Sequence, residues 1–246
     1  MEKLRTTLNL SSITLGTMRF FDKSLTTREV VDLIEAAYNS GINTHHSSIE
    51  YSSYPLYTEA IKRTSCAKNI KHIVKLSAPH FEDTNFSAKL LEERVNQELV
   101  NLNVECLDVL QWLLRSKPIN DLERLNTLKN YELEIEDCFF NLKQKGKIKS
   151  VFSFPYSVPF AEEVEKLSQI DGIISYLNRQ EQEYSKFATN NPFIAIRPFN
   201  AGALLKNSDD VKKNIDDCLR YISTHKSLLT TIVGINSIQQ LEAFNN

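Results

Sequence analysis

Residues 26–47 read TTREVVDLIEAAYNSGINTHHS. Thr26 followed three residues on by Glu29 is a capping box, in which each side chain satisfies an N–H that the first helical turn leaves open. Val30, Val31, Leu33, Ile34, Ala37 and Tyr38 recur at helical spacing, so the helix has one apolar face. Gly41 ends it, because glycine accepts the left-handed backbone of a C-cap without steric cost. Ile42 to Ser47 then reads as a short strand ending in two adjacent histidines.

The same alternation runs outward from this stretch in both directions. Further strands are expected at Ile13–Met18, His72–Leu76, Cys106–Leu114, Ile148–Ser153, Gly172–Tyr176, Phe193–Arg197 and Leu229–Gly234. Helices are expected at Leu56–Arg63, Ser87–Asn103, a segment stopping at Lys143–Gly146, Pro159–Ser168, Glu181–Thr189, Ser208–Thr224 and Ser237–Phe244. Residues 1–12 are polar and read as a small cap or hairpin. Near-continuous apolar strands alternating with amphipathic helices indicate a parallel sheet covered by helices. Eight strand–helix units in 246 residues predict an α/β fold, a (β/α)8 TIM barrel formed as a single domain over residues 1–246. A doubly wound open sheet is the alternative. It would usually carry a Gly-x-Gly-x-x-Gly turn after a strand, and none is present.

Composition narrows the function classes. The chain has 29 basic and 31 acidic residues, so no basic excess points to nucleic acid and no acidic tail to a solvating role. Cys66, Cys106, Cys138 and Cys218 form no Cys-x-x-Cys pair, which leaves a zinc or thioredoxin-type motif unsupported. Scattered thiols suit a reducing compartment, and a cytoplasmic protein is expected. No window approaches the ~20 apolar residues of a membrane-spanning helix, and the N-terminus has no apolar run of signal-peptide length.

In such a barrel the chemistry sits at the C-terminal ends of the strands. Those ends bring forward His45, His46, Glu50 and Tyr51 after strand two, Lys75 near the end of strand three, and Arg19, Arg115 and Arg197 on the rim. His45 and His46 are neighbours on a strand and point to opposite faces, so they do not make a metal pair; no metal site is expected. The three arginines read either as solvated rim charges, as partners for Glu50 and Asp121, or as an anion-binding mouth, because guanidinium forks match phosphate and carboxylate. Trp112 and Cys106 read as core.

Several pieces carry a resemblance. Leu15-Gly-Thr-Met18, Gly41-Ile-Asn43 with Tyr51 and Glu59, Val74-Lys75, Leu107-Asp-Val-Leu-Gln111, Gly146-Lys-Ile-Lys149, Arg197-Pro-Phe-Asn-Ala-Gly202 and Val233-Gly234 occur in order and at matching spacing. Together they resemble the aldo-keto reductases along nearly the whole chain. The resemblance implies a (β/α)8 barrel that moves hydride between NADPH and a carbonyl, with a catalytic Asp, Tyr, Lys and His. Tyr51 and Lys75 match the tyrosine and the lysine; His46 stands at the aspartate position and Leu113 at the histidine position. A lysine beside a tyrosine is expected to favour the phenolate.

On the cofactor side, the resemblance assigns Gly234, Asn236, Ser237 and Gln240 to NADPH. The Ser-Asn pair that holds the nicotinamide amide falls on Phe154-Pro155, the strand-six glutamine on Ser175, and the stacking aromatic on Ile196. The family's closing Glu-Asn aligns with Ala243-Phe244, or with Asn245 after a one-residue shift, and the C-terminal substrate loop is expected to be shortened. The expected activity is a divergent oxidoreductase on a small polar, anionic or sugar-like carbonyl, a sugar nucleotide being one such substrate. Tyr51 would be the acid–base residue, with Lys75 and His46 tuning it and Arg197, Arg19 and Arg115 contacting substrate. The rivals are a non-redox epimerase, dehydratase or lyase on the same barrel, and a catalytically silent barrel that binds a partner. Neither nucleic acid nor membrane is an expected partner.

Overall fold

The computed structural model describes residues 1–83, 85–115, 120–206 and 210–244. In chain order the elements are α1 (Glu2–Leu8), β1 (Ile13–Gly16), a 3-10 turn (Met18–Lys23), α2 (Thr27–Asn39), β2 (Thr44–Ser47), α3 (Tyr54–Ile61), β3 (Lys71–Ser77), α4 (Ala88–Leu102) and β4 (Leu107–Leu113). There follow α5 (Asp121–Asn130), α6 (Glu132–Gln144), β5 (Ile148–Ser153), α7 (Val158–Val164), β6 (Gly172–Tyr176), α8 (Ser185–Asn190) and β7 (Phe193–Ile196). A second 3-10 stretch (Asn200–Leu205), α9 (Val211–Ser223), β8 (Leu228–Gly234) and α10 (Ile238–Glu242) complete the described chain. The eight strands follow sequence order around a closed parallel barrel, β1 pairing with both β2 and β8.

The capping box at Thr26 forms in both directions: Thr26 Oγ1 accepts from the Glu29 N–H, and Glu29 Oε2 accepts from the Thr26 N–H at 2.8 Å. Gly41 takes φ +86° just past the helix. The eight strand positions hold to within a few residues. Two readings sharpen or change. Of the cap and the hairpin expected over residues 1–12, the chain forms a helical cap at residues 2–8, where Arg5 donates to the carbonyls of Lys226 and Leu228, at 2.8 and 2.6 Å, and Leu8 is buried. The segment before Lys143 is two helices, broken at Tyr131, whose ψ of 14° leaves the helical range. The proposed start of the seventh helix at Ser208 lies outside the described residues, as does Asn245.

The chain divides into two compact units, Met1–Lys71 with Ser175–Asn246, and His72–Ile174. In the second unit β3, β4, β5 and the start of β6 pair in parallel. Asp108 ties three of these strands: its carboxylate accepts from the His72 N–H at 2.9 Å and from Lys149 Nζ at 2.6 Å, and its carbonyl accepts from Ser150 Oγ at 2.8 Å. Trp112 is fully buried, as expected, with its indole N–H on the Ala78 carbonyl at 2.7 Å and its edge on Phe139. A buried indole needs such an acceptor, since an unpaired buried N–H costs about 1–3 kcal/mol.

In the first unit β1 lies between β2 and β8, with Gly16 opposite both His46 and Gly234. A Cβ on Gly16 would stand 3.1 Å from the Val233 carbonyl oxygen and 3.2 Å from Ile232 Cγ2. A side chain there would press on the β8 backbone, so glycine suits the close approach of β1 to β8 beside the end of β2.

Candidate active site at the end of the second strand

All four residues of β2 are buried. Its last carbonyl before Ser47, that of His46, accepts from both the backbone N–H and the hydroxyl of Thr17, at 3.1 and 3.0 Å, which ties the end of β2 to β1. The chain then turns: the Tyr51 N–H donates to the Ser48 carbonyl at 3.0 Å, the Glu50 N–H to Ser48 Oγ at 3.2 Å, and the Tyr54 N–H to the Tyr51 carbonyl at 2.8 Å. This turn returns the half-buried Tyr51 ring to the His46 ring, which it meets edge-on with centroids 5.9 Å apart. His45 goes the other way, as strand alternation requires. Its Nδ1 lies 3.1 Å from the Tyr57 hydroxyl on α3, with both residues fully enclosed.

Burial, with the negative charge of Glu50 adding to it, pushes the Tyr51 phenol well above the usual tyrosine range. The expected lowering is therefore not what this environment produces. Both terms penalise the phenolate: one removes its water, the other sets a like charge beside it. The result is a phenol held protonated, a group that can give a proton to a developing alkoxide.

The matched lysine, Lys75, is half-buried on β3, in register with Gln111 on β4. Leu113, 2% exposed, ends β4 as an apolar residue. Arg115 follows it, buried, with Nε 3.2 Å from the Tyr156 hydroxyl and its guanidinium over the Phe81 ring at 4.6 Å. These residues belong to the second unit, whereas Arg19 and Arg197 belong to the first. Arg19 pairs with Asp22 on the exposed 3-10 turn. Arg197 adopts φ 57°, lies 3.3 Å from Glu181, donates to Asn200 Oδ1 at 2.8 Å, and stacks over Tyr176 at 4.8 Å.

The expected cofactor residues after β8 form one local cluster. Asn236 Nδ2 donates to the Arg19 carbonyl at 3.3 Å, its N–H donates to Gln240 Oε1 at 2.9 Å, and Ser237 Oγ caps α10 by accepting from the Gln240 N–H. Asn236 Oδ1 is buried with no hydrogen-bond partner among the described residues, and so is Ser175 Oγ on β6. A buried oxygen left unpaired is costly, and an amide or ribose edge would satisfy each of them. Phe154 and Pro155, both buried, offer no polar side chain at the positions where the resemblance puts an amide contact. The polar side chains that could meet NADPH in this unit are those after β8, Asn236, Ser237 and Gln240, which already bond to one another. Among the described residues no group of three or more His, Cys, Asp or Glu could hold a metal ion.

Sequence reading passed over two contributors: Thr17, which anchors His46, and Tyr57. Thr17 lies inside the matched Leu15–Met18 piece and could have been flagged there. Tyr57 carries no local signal, since its contact with His45 depends on the angle at which α3 returns along β2.

A closed parallel barrel with its titratable side chains after the strand ends is the architecture on which barrel enzymes build their sites. The chain belongs to the Aldo/keto reductase family, a family of oxidoreductases, whose sequence model matches residues 12–217. Solved structures agree on the fold. An aldo-keto-reductase-type protein of Pseudomonas aeruginosa matches at 18% identity and TM-score 0.73, over 96% of this chain and 88% of its own. The aldo-keto reductase of Bacillus halodurans in its holo form matches at 17% identity and TM-score 0.72, over 95% and 85%. An aldo/keto reductase of Klebsiella pneumoniae in complex with NADP and acetate matches at 15% identity and TM-score 0.70, over 95% and 84%. A search of curated protein sequences finds no match. Among the described residues no helix is long and apolar enough to cross a membrane.

Proposed function

We propose that the protein is a divergent NADPH-linked oxidoreductase that reduces a small polar carbonyl, with Tyr51 as proton donor and His46 in the place of the family's aspartate. The observation that carries this reading is the edge-on contact of His46 with Tyr51 at the end of β2. NADPH, when bound, supplies the hydride; Ser175, Gly234, Asn236, Ser237 and Gln240 would hold it. The Tyr51 hydroxyl donates its proton to the carbonyl oxygen; burial makes it a weaker acid than a free phenol, so the transfer is driven by the more basic alkoxide that hydride addition creates. His46 orients the phenol through ring contact. Arg197 recognises an anionic group on the substrate, such as the carboxylate of a keto acid or the phosphate of a sugar, in competition with Glu181. Arg19 and Arg115 are weaker candidates for that role, since an ion pair with Asp22 and stacking on Phe81 already engage them. Four free thiols support a reducing compartment such as the cytoplasm.

Calorimetric titration with NADPH, followed by NADPH consumption against a panel of keto acids, sugar phosphates and neutral aldehydes, tests the reading. Binding together with turnover that drops at least about a hundredfold in Tyr51→Phe is expected. No heat at millimolar NADPH would sink it. A second reading, proton transfer without redox chemistry, is favoured by Phe154 and Pro155 standing where the family holds the nicotinamide amide. It predicts solvent-deuterium exchange into a carbonyl substrate with no cofactor added.

A further inference from the structure

We propose that His45 and Tyr57 are positioning residues for Tyr51, forming a buried clamp across the two ends of the turn that carries it. The inference rests on the reading of Tyr51 as proton donor. The turn from Ser48 to Ser53 is bounded by β2, which carries His45, and by α3, which carries Tyr57. Between those flanks His45 Nδ1 lies 3.1 Å from the Tyr57 hydroxyl, in a fully enclosed setting. Behind it the Tyr57 ring rests on Phe20, centroids 6.4 Å apart, on the 3-10 turn that follows β1. Phe20, Tyr57 and His45 thus form a column exposed by 1% or less that links β1, β2 and α3. Ser53 Oγ adds a bond to the Met18 carbonyl at 3.3 Å, at the far end of the same turn.

The two histidines therefore divide the work. His46 meets the Tyr51 ring directly, and His45, turned to the opposite face, holds the helix whose first residue, Tyr54, donates its N–H to the Tyr51 carbonyl. A hydrogen bond inside a closed apolar setting is directional and costly to leave unmade, so it fixes the α3 angle more tightly than packing alone. Misplacing a reacting group by about 1 Å can cost on the order of a hundredfold in rate.

Tyr57→Phe removes one oxygen and keeps the ring. His45→Leu removes the imidazole side of the contact, and His45→Asn returns an amide, able to donate or accept, near the place of Nδ1. Protein labelled with 13C at the tyrosine ring carbon bearing the hydroxyl reports Tyr51 by NMR without any need for activity. In Tyr57→Phe and His45→Leu the Tyr51 resonance is expected to shift and broaden. The Tyr51 and Tyr54 amides should exchange roughly tenfold faster while β5 amides do not change, and kcat should fall about tenfold at constant NADPH KM. His45→Asn should restore much of each. An unmoved Tyr51 resonance with unchanged exchange in Tyr57→Phe overturns the clamp, as does an Asn variant no better than the Leu variant. If His45→Leu does not fold, Tyr57→Phe decides alone. If Tyr51→Phe turns over like the wild type, the proton-donor reading fails, and the resonance and exchange data still decide the clamp.

Discussion

The ring of His46 meets the ring of Tyr51 edge-on, with centroids 5.9 Å apart, where the chain turns from β2 toward α3. The negative charge that acts on the phenol comes from Glu50, one residue before it. Burial and that charge act in the same direction.

The first prediction follows from the sign of this shift. The folded Tyr51 phenol is raised above its unfolded value, which lies near 10. Its contribution to stability is fully present below the unfolded pKa and drains away as pH rises past about 10, where the unfolded chain releases the proton first. The unfolding temperature should fall more steeply above pH 10 in the wild type than in Tyr51→Phe. Parallel curves would show that the phenol is not perturbed. Glu50→Gln should bring the phenol down toward its ordinary range, read from the same ring-carbon resonance.

Gly16 gives a structural prediction about the same strand end. A methyl group there meets the β8 backbone at Val233 O, 3.1 Å away, whereas one on Gly234 meets only the flexible Arg19 side chain, at 3.2 Å. Backbone cannot retreat as a side-chain stem can. Gly16→Ala should cost about 1–3 kcal/mol in urea unfolding, the usual range for overpacking, and Gly234→Ala distinctly less. Equal losses would mean that the closeness of β1 to β8 is not what requires glycine.

How far the chain declares itself depends on the range of the interaction. The barrel is legible because the capping box at Thr26, the stop at Gly41 and the apolar runs of each strand act within a few residues of one another. The helix at residues 2–8 was not legible, since it is held by Arg5 reaching the carbonyls of Lys226 and Leu228, at the other end of the chain. At the site, Tyr51 and His46 were found by matched position. The direction of the Tyr51 shift was not, because a lysine match says nothing of how much water the fold removes. The three arginines share a residue type and a rim address, yet their partners differ: Asp22 for Arg19, Tyr156 for Arg115, Glu181 for Arg197.

Arg94 offers a test at acid pH. Its guanidinium holds Asp83 in a fork, 2.9 and 3.1 Å, and donates to the Ser77 carbonyl at 2.6 Å, tying α4 to the segment after β3. Burial works to raise the Asp83 carboxyl, but the Arg94 hydrogen bonds, the His80 N–H and the Arg94 charge together hold it below its ordinary value. A depressed folded pKa gives stability that is present above the unfolded value, near 4, and is lost as pH falls through the folded one. Arg94→Met should lose about 1–3 kcal/mol at neutral pH. Its penalty relative to wild type should shrink below pH 4, where the wild type loses the pair as well. A penalty constant with pH would assign the loss to packing of the arginine stem.

Arg197 stands at the end of β7 with a left-handed backbone, φ 57°, that few residues other than glycine and asparagine adopt readily. Such a conformation costs on the order of 1–3 kcal/mol and persists where surrounding bonds over-determine it. Here they do: Asn178 Nδ2 donates to the Arg197 carbonyl at 2.9 Å, Glu181 and Asn200 hold the guanidinium, and Tyr176 lies under it. The Nε, buried and without a partner among the described residues, leaves one donor of the fork unused. If the guanidinium reads an anionic substrate, Arg197→Met should raise KM for keto acids and sugar phosphates about tenfold or more and leave neutral aldehydes nearly unchanged, because discrimination is the difference between two transition-state affinities. Arg197→Lys should recover only part of the loss, since an ammonium cannot reproduce the fork. A uniform KM increase for charged and neutral carbonyls would instead place Arg197 with Asn178 and Asn200 as a support of the β7 loop. A gain in thermal stability of Arg197→Gly over Arg197→Met would then report the backbone strain directly, as glycine alone removes it.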